Sequence, residues 1–264
     1  MRCPEGRDCF LARIIIMKKL SLLKRVMDEG QDEKTAQALI LSGRVRVNGI
    51  KETRAGVLVK ESAAVEIFYS SRHPSRAAEK LSGALKYFHI DVSGRSCLDI
   101  GASHGGFTSV LLESGAKRVY ALDVAYGIFD YTLRNDVRVV LLERKNAREI
   151  TVDWFEPALF SDSSGIFLTC DLSFISLKSI LGPIVEFAKN FKGPVDGIFL
   201  IKPQFEASHL TDKGIVRDDA VPEKIVNDTL DFARSCGISI IGSVPASIPG
   251  AEGNIEYTSY LRLK

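Results

Sequence analysis

Between Ser96 and Ile201 the sequence alternates short, almost wholly apolar runs with stretches of helical spacing, and this alternation restricts the fold more than any other feature. The apolar runs are Ser96 to Ile100, Arg118 to Val124, Arg138 to Leu142, Gly165 to Cys170 and Gly197 to Ile201. Runs this apolar are buried on both faces and read as parallel strands, because only a parallel sheet is covered by helices on each side. Helical patterns fall between them at Gly106–Glu113, Ile128–Arg134 and Leu177–Asn190, with a further one at Pro222–Cys236. The expected architecture is α/β and Rossmann-like, with any ligand beyond the carboxyl ends of the strands.

Residues 1–80 read differently. They hold 16 Lys and Arg against 10 Asp and Glu, whereas residues 81–264 hold 19 against 23. A basic front suits a polyanion such as nucleic acid, although the same excess also occurs as ordinary surface charge. Lys18–Met27 has helical spacing, and a second helix is expected from Asp32, as N-cap, to a stop at Gly43. Asn48-Gly49, flanked by alternating Val and Arg, predicts a hairpin turn. Further short strands are expected at Val57–Val59 and Val65–Phe68. Lys18, Lys19, Lys24, Arg25, Arg44, Arg46, Lys51 and Arg54 are the candidate phosphate-binding cations. Ahead of them, Phe10–Ile16 is broken by Arg13 and leads to no small-residue cleavage site, so a secretory leader is not expected. Residues 1–17 are expected to be disordered or untranslated, with Met17 as the start.

Other classes are excluded by what the text lacks. No apolar stretch approaches the ~20 residues of a membrane helix. The five cysteines are odd in number, include no C-x-x-C, and accompany no ligand-spaced histidine pair. A reducing cytoplasm and no metal site are therefore expected.

The turn after the first strand of the large domain, Gly101-Ala102-Ser103-His104-Gly105-Gly106-Phe107, is where chemistry is expected. Glycines let backbone approach a ligand, and the helix that follows offers free amide donors. Asp123, ending the second strand, has the reach to accept hydrogen bonds from both hydroxyls of a nucleoside ribose. Ser103 stands where a pyrophosphate-binding turn needs its middle glycine, which favours S-adenosylmethionine over NAD. The same turn also satisfies G-x-S-x-G, the nucleophile elbow of esterases. That minor reading needs Asp171 as acid and His209 as base.

Two resemblances sharpen the picture. Ala36, Leu39, Ile40, Gly43, Val45, Val47, Asn48 and Gly49 resemble the signature of the alpha-L RNA-binding module of the ribosomal S-four type. The usual Arg-Leu-Asp opening is replaced by Lys19-Leu20-Ser21. LDIGASHGGFT, DVAYG, SRAAEKL, ERKNAR, DLSFIS, KPQFE and GNIEY together resemble the TlyA family, sometimes labelled hemolysins. That resemblance runs from about Lys18 to Lys264. It implies S-adenosylmethionine-dependent ribosomal RNA ribose 2′-O-methylation, with cytidine as target, on an FtsJ-like domain. It also implies a seven-stranded sheet whose last strand, near Glu256–Leu263, is antiparallel. The implied domains are 18–69 for RNA binding, 70–80 as linker and 81–264 for catalysis.

By the same resemblance the catalytic tetrad falls on Lys80, Asp171, Lys202 and Glu256, with Lys202 as candidate base. Such a base must shed a proton, which a second ammonium and burial favour and neighbouring carboxylates oppose. The cofactor residues fall on Gly101, Ser103, Gly105, Phe107, Asp123, Asn146 and Asp171. The chain departs from the family at Ala77 and Ala78 (usually glycines), which leaves the loop carrying Lys80 stiffer or displaced, and at His104 and Lys145 (usually threonines), where altered cofactor affinity is expected. Ribosomal RNA or ribosomal subunits are the implied partners. The alternative is an RNA- or ribosome-binding protein on an inactive methyltransferase fold. A pore-former, as the hemolysin label would have it, lacks any amphipathic or spanning segment.

Overall fold

The structure, a computed structural model, describes residues 19–41, 43–67, 76–207, 211, 221–250 and 253–264. The expectations for residues 1–17, for Lys18, for the linker stretch 70–75 and for His209 lie outside the described residues. The chain divides into two compact units between Tyr69 and Ser70.

The first unit contains β1 (Lys19–Ser21), α1 (Leu22–Asp28), α2 (Glu33–Leu41), β2 (Val45–Val47), β3 (Ile50–Lys51), β4 (Leu58–Lys60) and β5 (Val65–Ile67). β1 pairs with β4, and β3-β2-β5 form a second small sheet. The helix expected from Lys18 starts only at Leu22. Ser21 Oγ accepts from the Lys24 amide at 3.2 Å and so caps α1, while the amides of Leu22 and Leu23 are taken by the carbonyls of Val57 and Ala55. Asn48 (φ 51°) and Gly49 (φ 78°) supply the two left-handed residues of a primed turn, and Val47 pairs with Ile50 across it. Leu22, Val26, Ala36, Leu39, Ile40 and Val45 form the core.

The second unit runs α3 (Arg76–Tyr87), β6 (Ser96–Ile100), α4 (Gly106–Glu113), β7 (Arg118–Asp123), α5 (Tyr131–Arg134), β8 (Val139–Glu143), α6 (Pro157–Ser161), β9 (Ile166–Cys170), α7 (Lys178–Ala188), β10 (Val195–Ile201), α8 (Pro203–Glu206), α9 (Val221–Ser235), β11 (Ser239–Pro245) and β12 (Tyr257–Arg262). Its seven strands lie in the order β11-β12-β10-β9-β6-β7-β8. As expected, β12 runs antiparallel to both neighbours, while β10, β9, β6, β7 and β8 are mutually parallel. Side chains alternate between faces. Leu98, Ile100, Leu168, Cys170, Phe199 and Ile201 pack with residues of α7 and α9, whereas Cys97, Phe167, Ile198 and Leu200 pack with α3 and α4.

The described end of the expected linker, residues 76–80, is the start of α3. Its buried residues Ala78, Lys80, Leu81, Ala84 and Leu85 recur at helical spacing. Ala77 and Ala78 therefore sit in a helix rather than a loop, and alanine favours a helix over glycine by about 1 kcal/mol. Lys80 is thus carried by a regular element. Helix α5 is shorter than the Ile128–Arg134 expectation, because Asp130 Oδ1 accepts from the amides of Thr132 (2.7 Å) and Leu133 (3.1 Å) and fixes the start there. Among the described residues no helix is long and apolar enough to cross a membrane.

Candidate active site

Strand register assembles the site. Ile100 aligns with Leu122 on one side and Cys170 on the other, and Cys170 aligns with Phe199. The residues just beyond these strand ends, Gly101, Asp171 and Lys202, therefore share one edge of the sheet with Asp123, which closes β7. Antiparallel β12 begins at this same edge, with Tyr257 opposite Ile201, which delivers Glu256 there.

Two buried ion pairs result. Lys80 Nζ lies 2.5 Å from Glu256 Oε2, and Lys202 Nζ lies 2.5 Å from Asp171 Oδ1. Lys202 Nζ also donates to Ser173 Oγ at 3.1 Å. The pairs are linked through α8. Lys202 caps that helix, and Gln204 within it donates from Nε2 to Glu256 Oε1 at 3.0 Å. Gly250 is needed beside them, because a Cβ there would lie 2.2 Å from Glu256 Oε1. All four candidate catalytic side chains thus occupy one neighbourhood.

Next to them lies a cleft of about 180 Å³ lined by Ala77, Gly101, Ala102, Ser103, His104, Gly106, Phe107, Asp171 and Ser173. Gly101 has φ 82°, and an added Cβ would stand 2.5 Å from the Asp171 carbonyl oxygen, so only glycine lets β6 and β9 end this close together. Asp123 Oδ2 accepts from the Ser103 amide at 2.7 Å, and its Oδ1 from the Ala125 amide at 2.8 Å. Gly105 is not among the cleft-lining residues. Its φ is 92°, and a Cβ would lie 2.4 Å from Leu133, so its need is packing. Asn146 caps the short turn Ala147–Glu149 by accepting from the Arg148 amide at 3.1 Å, and the preceding residue, Lys145, donates to the Asp123 carbonyl at 3.0 Å. Beside Ser103 Oγ stands the ring of its chain neighbour His104, at 3.2 Å, whereas His209, the base that the esterase reading needs, lies outside the described residues.

The sequence reading missed three residues. Asp99 lies inside an apolar run, fully buried, accepting from Thr108 Oγ1 at 2.7 Å and Thr169 Oγ1 at 2.9 Å. Phe174 follows Asp171-Leu172-Ser173 with φ 68° and is 88% exposed. Glu206 accepts from Ser176 Oγ and the Leu177 amide, each at 2.5 Å, while burial pushes its carboxyl above the ordinary range. All three lie within segments already quoted, Asp99 in LDIGASHGGFT, Phe174 in DLSFIS and Glu206 in KPQFE, but none of them was singled out.

Burial pushes the Asp99 carboxyl up to about 6, from an ordinary value of 3.8, against the lowering effect of its two hydroxyl donors. Between those values the folded chain binds more protons than the unfolded one, so this group's contribution to stability falls as pH rises through the window. The loss is roughly 3 kcal/mol. Asp99→Asn lacks the titration. Urea denaturation from pH 3.5 to 7 should show the variant gaining stability relative to the wild-type chain by that order, and parallel pH curves would refute it.

In the first unit Lys19, Lys24, Arg46, Lys51 and Arg54 are exposed, while Arg25 and Arg44 are half-buried. Some are engaged locally. Lys24 pairs with Asp28 (3.0 Å), Arg54 with Glu52 (2.8 Å), and Arg25 donates to the Ala63 carbonyl (3.3 Å). Among the described residues no cluster of His, Cys, Asp and Glu has the arrangement of a metal site.

Residues 73–263, which span the whole of this site, match the FtsJ-like methyltransferase family. The chain belongs to that family. It is 41% identical over 239 residues to Hemolysin A of Brachyspira hyodysenteriae, covering 89% of this chain and 96% of that protein. It is 39% identical over 231 residues to the 16S/23S rRNA (cytidine-2′-O)-methyltransferase TlyA of Mycobacterium tuberculosis, covering 86% of this chain and 83% of that one. A solved structure of a hemolysin candidate from Lactococcus lactis is 39% identical, with a TM-score of 0.66 over 74% of this chain and 90% of that chain. The two named proteins cover 89% and 86% of this chain, more than the second unit alone accounts for, so those comparisons include part of the first unit.

Proposed function

We propose that the protein is an S-adenosylmethionine-dependent methyltransferase acting on a ribose 2′-hydroxyl of ribosomal RNA, at a cytidine as in the named activity of its relatives. The observation that carries this reading is the pair of buried lysine–carboxylate contacts beside the glycine turn. The cleft fits the cofactor. Gly101, Ala102 and Ser103 border it, Phe107 supplies an apolar wall, and Asp171 lies at its rim. Each Asp123 oxygen accepts one amide and keeps a lone pair for a ribose hydroxyl. Gly105 and Asn146 contribute by shaping the turn and the sheet end. When bound, the cofactor supplies a methyl group already activated on a positively charged sulfur.

The chain's own work is then to align the RNA hydroxyl and to take its proton. Lys202 Nζ is held by Asp171 and Ser173 at the cleft edge and is the proton acceptor in this reading. The Lys80–Glu256 pair fixes the wall behind it through Gln204. Phe174 presents an exposed ring beside the catalytic loop, suited to stacking on an unstacked base. Lys19, Lys24, Arg46, Lys51 and Arg54 of the first unit serve RNA phosphates, with Lys24 and Arg54 sharing theirs with a carboxylate. Ribosomal subunits place this activity in the cytoplasm.

The test is transfer of labelled methyl from S-adenosylmethionine to isolated ribosomal subunits, followed by mapping of 2′-O-methylation. Methyl groups on ribose are the expected result. Salt-dependent RNA binding without transfer to either subunit would leave the inactive RNA-binding reading in its place.

A further inference from the structure

At the start of helix α7 the flanking residue, Leu177, has an apolar side chain and caps nothing. The local side-chain acceptor is Ser176 Oγ, which serves the Lys178 amide but leaves the Leu177 amide unserved. The acceptor for that amide comes from 29 residues further along the chain, where Glu206 Oε1 takes it at 2.5 Å. Its other oxygen takes Ser176 Oγ at 2.5 Å, and Ser176 Oγ in turn accepts from the Lys178 amide at 3.2 Å. Glu206 sits on α8, the four-residue helix that Lys202 caps. Lys202 holds the other end of the same loop, at Asp171 and Ser173. A single short helix therefore grips residues 171–177 at both ends.

Between the grips stand Phe174 and Ile175. Phe174 has φ 68°, a region that bulky side chains avoid, and its ring is 88% exposed, so burial does not hold it there. Its ring neighbour is Phe205, with centroids 5.4 Å apart, which again belongs to α8. The displayed ring, its aromatic support and both anchors of its loop all depend on that helix.

We propose that Glu206 is a positioning residue for RNA engagement: it holds the loop bowed so that Phe174 is presented outward beside the cleft. This rests on the reading that Phe174 meets the RNA. Glu206 itself touches neither substrate nor cofactor; it acts through the Ser176–Leu177 backbone. Of the four residues of α8, Pro203 sets the helix start, Gln204 serves Glu256, and Phe205 and Glu206 serve the loop.

The test uses the full chain as Glu206→Ala, Glu206→Gln, Phe174→Ala and the double variant Glu206→Ala/Phe174→Ala. Hydrogen exchange over residues 172–178, cofactor affinity by calorimetry and binding to isolated ribosomal subunits are measured for each. Glu206→Ala should speed exchange at Leu177 and weaken subunit binding about tenfold, with cofactor affinity unchanged. Glu206→Gln keeps one acceptor oxygen and should recover most of the loss; if the alanine variant does not fold, this one carries the comparison. Adding Glu206→Ala to Phe174→Ala should weaken binding no further. Unchanged exchange at Leu177, or binding losses that simply add, overturn the proposal. If the wild-type chain binds subunits but transfers no methyl group, the proposed function falls while the coupling between the two variants still decides the clamp. If it binds no subunit, the exchange result alone decides it.

Discussion

Glu256→Ala is expected to unfold at a much lower urea concentration than the wild-type chain, with a loss of about 3–5 kcal/mol. The size follows from burial. The Lys80 and Glu256 side chains are only 7% and 3% exposed, and each is the other's counter-ion at 2.5 Å. Removing the carboxylate strands an ammonium inside α3, where water cannot reach it. It also removes the acceptor for Gln204, whose own carbonyl oxygen already lacks a partner. Replacing the pair together, as Lys80→Met with Glu256→Leu, takes away both charges and should restore most of the stability. Methyl transfer should stay absent in that double variant. Equal midpoints for Glu256→Ala and wild type would mean that the pair is not buried as described.

Lys202→Met should lower kcat for methyl transfer by about 10²–10⁴-fold while leaving cofactor affinity near its wild-type value. Methionine matches the length of the stem and keeps contact with Phe205, over whose ring Lys202 Nζ lies at 5.8 Å. The more telling variant is Lys202→Arg. A guanidinium keeps the positive charge facing Asp171 but cannot accept a proton at any working pH. If Lys202 takes the proton from the RNA hydroxyl, the arginine variant should be as slow as the methionine one. An arginine variant within a few-fold of wild type would reduce Lys202 to an electrostatic role. Single-turnover kinetics with saturating cofactor and ribosomal subunits separates these cases from product release.

The parts of the fold visible in the text were those with one dominant signal. Apolar runs such as Ile166–Cys170 are buried at every position, so they announce themselves as central strands. β11 did not, because it is an edge strand of mixed exposure, broken by Gly242 and ending in Pro245. β1 is three residues long and was absorbed into the helix that Ser21 caps. The start of α3 was hidden because its polar residues, Arg76, Glu79 and Lys80, look like linker until their partners are known. Arg76 donates to the carbonyls of Pro249 and Gly250, and Lys80 pairs with Glu256, contacts that span more than 170 residues of sequence.

At the site the same distinction holds. Polar residues ending apolar strands stood out, whereas Asp99 was concealed within one, and nothing in its neighbours marks a carboxylate that two threonines hold. Resemblance supplied the four residues but not which lysine belongs with which acid; the structure pairs Lys80 with Glu256 and Lys202 with Asp171. Register explains why they meet.

The reversed direction of β12 has a consequence for biosynthesis. Glu256 immediately precedes β12, which must insert between β10 and β11, both of which come before it in translation. Until that insertion happens, Lys80 has no counter-ion and the wall behind Lys202 is open. A nascent chain that had folded everything up to β11 would hold the cofactor cleft yet lack its last acid. With Glu256 in the role proposed for it, competence to modify RNA would wait on the last step of sheet assembly, and unfinished copies would stay silent while they are still being made.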